Sequence, residues 1–152
     1  MQSICLDANL IVLLVAGLTD PAIVEKHKRL KAFSFGDFEM LCDLVARAPR
    51  IVVSPNTLTE ASNLLAQHGE PERSALLRNL AYFITNIVEV YISSEQASRR
   101  SEFVRLGLTD ASLLDIASAD VPLLTVDANL HNTAVTLDSQ CSVNFNHIRF
   151  QV

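Results

Sequence analysis

The chain is short of every feature that marks the simpler architectures. Four glycines and five prolines in 152 residues are too few for a collagen-like or Pro/Gly low-complexity chain. The three cysteines, Cys5, Cys42 and Cys141, stand far apart with no CxxC, which argues against a disulfide framework or a zinc site. All three lie among apolar neighbours, so buried free thiols are expected. The longest uncharged apolar run is Leu10–Leu18, nine residues, where a membrane span needs about 20. No basic residue precedes it, so it makes a poor signal peptide. These absences predict a cytoplasmic protein without a membrane anchor. Basic charge is also scarce: 12 Lys and Arg face 17 Asp and Glu, a net charge of −5. That argues against a protein that coats DNA, which needs a broad positive face. Nucleic acid as a substrate stays open, because a few clustered acids can dominate the count.

What is present points to a globular domain. Hydrophobic residues make up 49% of the chain, too many for disorder. The length suits one domain over residues 1–152. Ser3–Leu6 reads as a short buried strand ending at Asp7, and Ala8–Gly17 as a buried helix. Pro21 opens a second helix carrying Lys26, Lys28, Arg29 and Lys31. Asp37–Arg47 has helical spacing, and Ile51–Val53 is a β-branched strand. A helix from Ser54-Pro55 to Gln67 ends at Gly69, read as a positive-φ stop. Glu70-Pro71 starts the next helix, and Val88–Ile92 alternates like a strand. Ser93 and Gln96 suggest a capping box for a helix ending at Gly107. Thr109 caps a helix over Asp110–Ser118. Pro122–Val126 is a buried strand ending at Asp127, followed by a short helix, and Val143–Phe150 supplies terminal strand material. Alternating strands and helices predict an α/β domain: a mostly parallel sheet with helices on both faces.

Four acids fall at matching places in this layout. Asp7 and Asp127 follow predicted strands, and Asp110 lies in a first helical turn. Glu60 lies about one turn into the helix after Ile51–Val53. In open α/β sheets ligands bind outside the carboxyl ends of the strands, and parallel topology brings all four acids to that edge. Clustered carboxylates raise one another's pKa unless a cation neutralises them. Hard divalent ions, Mg²⁺ or Mn²⁺, prefer such oxygen ligands and suit phosphoryl transfer. Taken singly, Asp110 and Asp127 also fit helix starts, and Glu60 fits a solvated helix face. Asp115 lies roughly 140° round the helix from Asp110 and reads as a solvated acid.

The stretches Ile4-Cys5-Leu6-Asp7-Ala8-Asn9, Ser54-Pro55-Asn56-Thr57-Leu58-Thr59-Glu60, Leu108-Thr109-Asp110-Ala111 and Leu124-Thr125-Val126-Asp127 resemble, in order and context, the motifs of the PIN-domain family of metal-dependent ribonucleases. The resemblance spans nearly the whole chain. It implies a three-layer α/β/α sandwich and a Mg²⁺- or Mn²⁺-dependent endoribonuclease. Asp7, Asp110 and Asp127 would hold the metal, and Glu60 would complete the catalytic group. Asn9, Thr125 and Asn129 would orient the carboxylates. The implied chemistry is in-line attack of a metal-activated water on an RNA phosphodiester, leaving a 5′-phosphate and a 3′-hydroxyl. Many small family members are toxins of toxin–antitoxin pairs, so a protein antitoxin and a homodimer are further expectations. The chain departs from the family where a further acid often stands, at Asn129, and over Ser93–Gly107, which matches no motif. Those departures motivate the alternative, a non-catalytic PIN-like module that binds RNA or a protein.

For an RNA backbone the basic candidates are Lys26, Lys28, Arg29 and Lys31, with a second group at Arg99, Arg100 and Arg105. A solvated helix face explains them equally well. The four histidines show no ligand spacing, although His131 is four residues from Asp127. No GxxxxGK[ST] or GxGxxG occurs, which argues against P-loop and dinucleotide-binding folds. A haloacid-dehalogenase-type phosphatase would want an acid where Asn9 stands. The strand content disfavours a helix-turn-helix DNA reader.

Overall fold

The computed structural model describes residues 2–151. Among them the chain forms five strands and ten helices. β1 (Ile4–Leu6) leads into α1 (Ala8–Thr19), α2 (Pro21–Lys26) and α3 (Phe35–Arg47). β2 (Ile51–Val53) leads into α4 (Pro55–Leu65) and α5 (Glu72–Ile84). β3 (Val88–Glu89) is followed by α6 (Ser94–Ser98), α7 (Phe103–Leu106) and α8 (Leu108–Ile116). Then come β4 (Leu123–Thr125), α9 (Ala128–Leu137), β5 (Ser142–Asn144) and α10 (Phe145–Arg149). Every strand pairing is parallel, in the order β3-β2-β1-β4-β5. No helix among the described residues is long and apolar enough to cross a membrane.

Strand side chains alternate between the two faces of the sheet, so consecutive residues feed separate cores. Leu6, Val53 and Leu124 join a large core with α1 to α5. Cys5 and Leu123 join a smaller one with Leu113 and Leu114 of α8 and Leu130 and Ala134 of α9. The outcome is a three-layer α/β/α fold. Burial on both faces explains why β1, β2 and β4 read as continuous apolar runs and not as alternating patterns. α1 is buried on nearly every side. At Gly17 it meets α3 so closely that a Cβ would fall 2.2 Å from the Phe38 ring.

The chain runs β1, β2, β3 toward one edge of the sheet, then crosses over to β4 and β5 on the other side. The order therefore reverses between β1 and β4, and the cleft outside their carboxyl ends is where such folds bind ligands.

Several local expectations are corrected. α2 stops at Lys26, leaving Lys28, Arg29 and Lys31 in the turns beyond. The cause is His27, which turns inward, stacks on His68 at 5.0 Å and accepts the Arg29 N–H at 3.1 Å. α4 ends at Leu65 with Ala66 still in right-handed backbone, and Gly69 does not take a positive φ. Among the described residues the positive φ belongs to Gly107. The helix expected to end there is two short pieces, α6 and α7. Ser93 accepts the Gln96 N–H, but the Gln96 side chain reaches Asp115 and completes no capping box. α8 begins at Leu108 with Gly107 as its cap, and Thr109 lies within its first turn. β3 is two residues long, and only Val90 extends its bonding, to the Val53 carbonyl at 2.8 Å. The expected C-terminal strand closes at Asn144, whose side chain caps α10. Cys5 and Cys141 are buried free thiols, whereas Cys42 on α3 is half-buried.

Candidate functional site

Asp7 sits immediately after β1 and starts α1. One carboxylate oxygen accepts the Ala8 N–H at 2.7 Å. The other accepts the Thr125 hydroxyl at 2.6 Å, a bond that crosses from β1 to β4 at the reversal of strand order. The same Thr125 hydroxyl accepts the Asp127 N–H at 3.0 Å. Asp127 in turn caps α9 by accepting the Leu130 N–H at 3.1 Å. Thr125 is fully buried, so this small network has little freedom to rearrange.

Glu60 and Asp110 arrive on α4 and α8. A hydroxyl cluster joins those helices at their N-terminal ends. Ser54, the cap of α4, lies 2.9 Å from both the Thr57 and the Ser112 hydroxyls, and Ser112 donates to the Thr109 carbonyl at 2.6 Å. Ser54, Thr57 and Ser112 are all fully buried. Ser54 was legible in the sequence as a helix cap. Ser112 was not, because its partner lies 58 residues away.

Asp7 and Asp110 feel the charge of the other acids. Burial pushes the Asp7 carboxyl above its ordinary pKa; Glu60 and Asp127 add to the rise, and the bonds from Thr125 and Ala8 oppose it. Asp110 is pushed up to about 7, first by burial and then by Asp7, Asp127 and Glu60. Asp7 is buried, Asp110 half-buried, and Glu60 and Asp127 are exposed. Among the described residues, none of the ion pairs includes any of these acids. Nor does any group of three or more His, Cys, Asp or Glu side chains stand close enough to hold a metal ion. The two findings are compatible, since charge acts over about 10 Å whereas a hard cation binds oxygen at about 2 Å. Asp7 and Asp127 are also engaged as helix caps. The donor chemistry, four carboxylates with no protein cation, fits a hard divalent ion. An Asp oxygen that accepts one hydrogen bond keeps a second lone pair for it.

The other expected residues separate into those at the site and those away from it. Thr125 bridges the acids, and Asn9 is exposed on the first turn of α1. Asn129 lines a different cleft, with Glu102 and Arg105, between α7 and α9. Asp115 is not a solvated acid: it is half-buried and pairs with Arg100 at 2.7 Å. Of the basic candidates, Lys26 pairs with Glu72 at 3.3 Å, Arg29 bonds Gln67 at 2.7 Å and Arg99 pairs with Glu95. Arg105 donates to Thr133 at 3.0 Å. Lys28 and Lys31 are exposed. His131 turns to the Ser142 hydroxyl at 2.8 Å and meets His147 edge-on.

One feature of the edge escaped the sequence reading. A cleft of about 610 Å³ opens beside Glu60, between α4 and the segment joining β3 to α6. Tyr91, 79% exposed, stands on its wall. A lone tyrosine after a short strand carries no periodic signal that would single it out. Comparison with protein-family models and with curated proteins finds no match for this chain.

Proposed function

We propose that the chain is an endoribonuclease that depends on Mg²⁺ or Mn²⁺ and hydrolyses RNA phosphodiester bonds. The observation that carries this reading is the gathering of Asp7, Glu60, Asp110 and Asp127, from four separate elements, at the strand-order reversal without a protein cation. Asp7 and Asp110, whose charged forms are disfavoured by burial and by the neighbouring acids, are the groups a bound cation would relieve. Asp7, Asp110 and Asp127 would hold the ion. When bound, it would supply charge for the phosphate oxygens and lower the pKa of a water. Thr125 keeps Asp7 oriented and ties it to the backbone of Asp127. The Ser54–Ser112 contact sets the spacing of the helices that carry Glu60 and Asp110. Glu60, exposed and lining the cleft, would position the attacking water.

The test is cleavage of single-stranded RNA in Mn²⁺ or Mg²⁺, with EDTA and Asp7→Asn controls. Cleavage lost in both controls is expected. No cleavage with either metal, or equal cleavage by Asp7→Asn, ends the proposal. A non-catalytic RNA- or protein-binding module is favoured by one observation, the absence of a convergent ligand group among the described residues. Mn²⁺ titration separates the two. A metal that binds the folded state raises the melting temperature with concentration, and the module gives no shift at millimolar Mn²⁺.

A further inference from the structure

The cleft beside Glu60 has the makings of a base-recognition subsite. Asn56, Glu60 and Asn63 follow one another at i, i+4 and i+7 along α4, so they form one stripe on its surface. All three line the cleft, together with Tyr91, Ser94 and Thr109, the neighbour of Asp110. The cleft thus brings an exposed aromatic ring, Glu60 and the neighbour of Asp110 into one lining. Its volume lies in the roughly 300–1,000 Å³ range of small-ligand sites. No Lys, Arg or His lines it, so nothing there grips a phosphate. Besides the Glu60 carboxylate and the Ser and Thr hydroxyls, the walls offer a π-face and two side-chain amides, each both donor and acceptor. That chemistry matches a heteroaromatic base with a polar edge.

We propose that an unpaired nucleobase of single-stranded RNA stacks on Tyr91, with its edge toward Asn56 and Asn63, and so sets which phosphodiester lies over Glu60 and Asp110. The proposal rests on reading the acidic edge as facing RNA. A base can reach Tyr91 only if it is free of a duplex, which commits the substrate to unpaired segments.

The chain has no Trp and two Tyr, so Tyr82→Phe leaves Tyr91 as its sole strong intrinsic fluorophore. Tyr82 lies on α5 and is 73% exposed, so that variant folds. Short single-stranded RNA, titrated in EDTA to prevent cleavage, quenches Tyr91 emission in this variant, whereas inorganic polyphosphate does not. Tyr91→Ala in the native background weakens single-stranded RNA binding roughly five- to a hundredfold, the range that base–aromatic stacking spans. Tyr91→Phe keeps the affinity. Duplex RNA of the same sequence binds wild type and Tyr91→Ala alike. Absent quenching, wild-type affinity in Tyr91→Ala, or no RNA binding at all overturns the subsite. Its failure is separable from that of the nuclease reading. Cleavage with KM unchanged in Tyr91→Ala removes the subsite alone. Tyr91-dependent binding without cleavage removes the nuclease alone.

Discussion

Asp7 accepts bonds from Ala8 and Thr125 while it stands near Glu60 and Asp127. Burial without a cation disfavours its charged form. Asp7→Asn is therefore expected to have opposite effects on function and fold. Cleavage falls about a hundredfold or more, since even ~3 kcal/mol of lost charge stabilisation is worth that factor. In EDTA at pH 8 the variant melts no lower than wild type, because a disfavoured buried charge has gone. A clear drop in melting temperature would show that Asp7 supports the fold and does not strain it. Thr125→Val removes the donor to Asp7 and the acceptor of the Asp127 N–H. The loss of those buried bonds costs about 1–3 kcal/mol, and Mn²⁺ affinity falls roughly ten- to a hundredfold. Thr125→Ser, which keeps the hydroxyl, restores both; calorimetric Mn²⁺ titration and melting of the three proteins check this.

Asp110 gives a pH dependence with a definite sign. Its folded-state pKa, about 7, lies above the ordinary 3.8. Between those values the folded chain binds more protons than the unfolded one, so stability falls as pH rises. His27 acts in the opposite direction. Burial lowers its pKa below 6.5, so protonation favours the unfolded chain and stability rises with pH through that lower window. Comparison with Asp110→Asn isolates the first effect. In EDTA, wild type loses stability relative to the variant from pH 5 to pH 7, and Mn²⁺ at pH 8 closes the gap. Parallel melting curves across that range would count against the crowded-acid picture.

At the scale of elements, glycines decide two placements. Gly107 has φ 88° and ψ 177°, a conformation essentially restricted to glycine, and it starts the helix that carries Asp110. Gly107→Ala costs about 1–3 kcal/mol and lowers cleavage, because α8 must start elsewhere or strained. Gly17→Ala drives a methyl into the Phe38 ring between α1 and α3. It costs about 1–3 kcal/mol as overpacking. α1 carries no metal-holding side chain after its cap, so cleavage per folded molecule stays near wild type. Melting and assay of both variants separate a glycine that aims a side chain from one that only permits close packing.

For the whole molecule, the net charge of −5 resolves into parts. Setting the four site acids aside leaves 13 acids against 12 bases, close to balance. Several of those bases are already paired: Lys26 with Glu72, Arg99 with Glu95, Arg100 with Asp115, and Arg149 with Asp37. To hold RNA, these four would have to release their partners; the other eight bases form no ion pair among the described residues. Single-strand binding loses about 0.7 of a logarithmic unit per phosphate contact for each tenfold rise in salt. With Lys28, Arg29 and Lys31 of the first group outside any ion pair, a slope of about −1 to −2 is expected. A slope steeper than about −6 would show that the paired bases release their partners to hold RNA.

The local pattern of residues was enough to determine the parallel α/β class and to set the four acids at strand ends and early helical turns, while Thr125 was singled out only through the family resemblance. Apolar runs of strand length, proline at helix starts and acids just past strands are local signals, and parallel order follows from the connections between them. What local pattern could not carry was anything joining distant segments or resting on one backbone angle. Ser112 meets Ser54 across 58 residues, and Asp115 meets Arg100 where a solvated face was expected. α2 gives way at His27 to bury an imidazole, and Gly107, not Gly69, takes the positive φ. Tyr91 gains a role only once α4 and the segment joining β3 to α6 enclose a cleft. Each of these depends on which elements become neighbours, and that is decided when the chain closes both cores around one sheet.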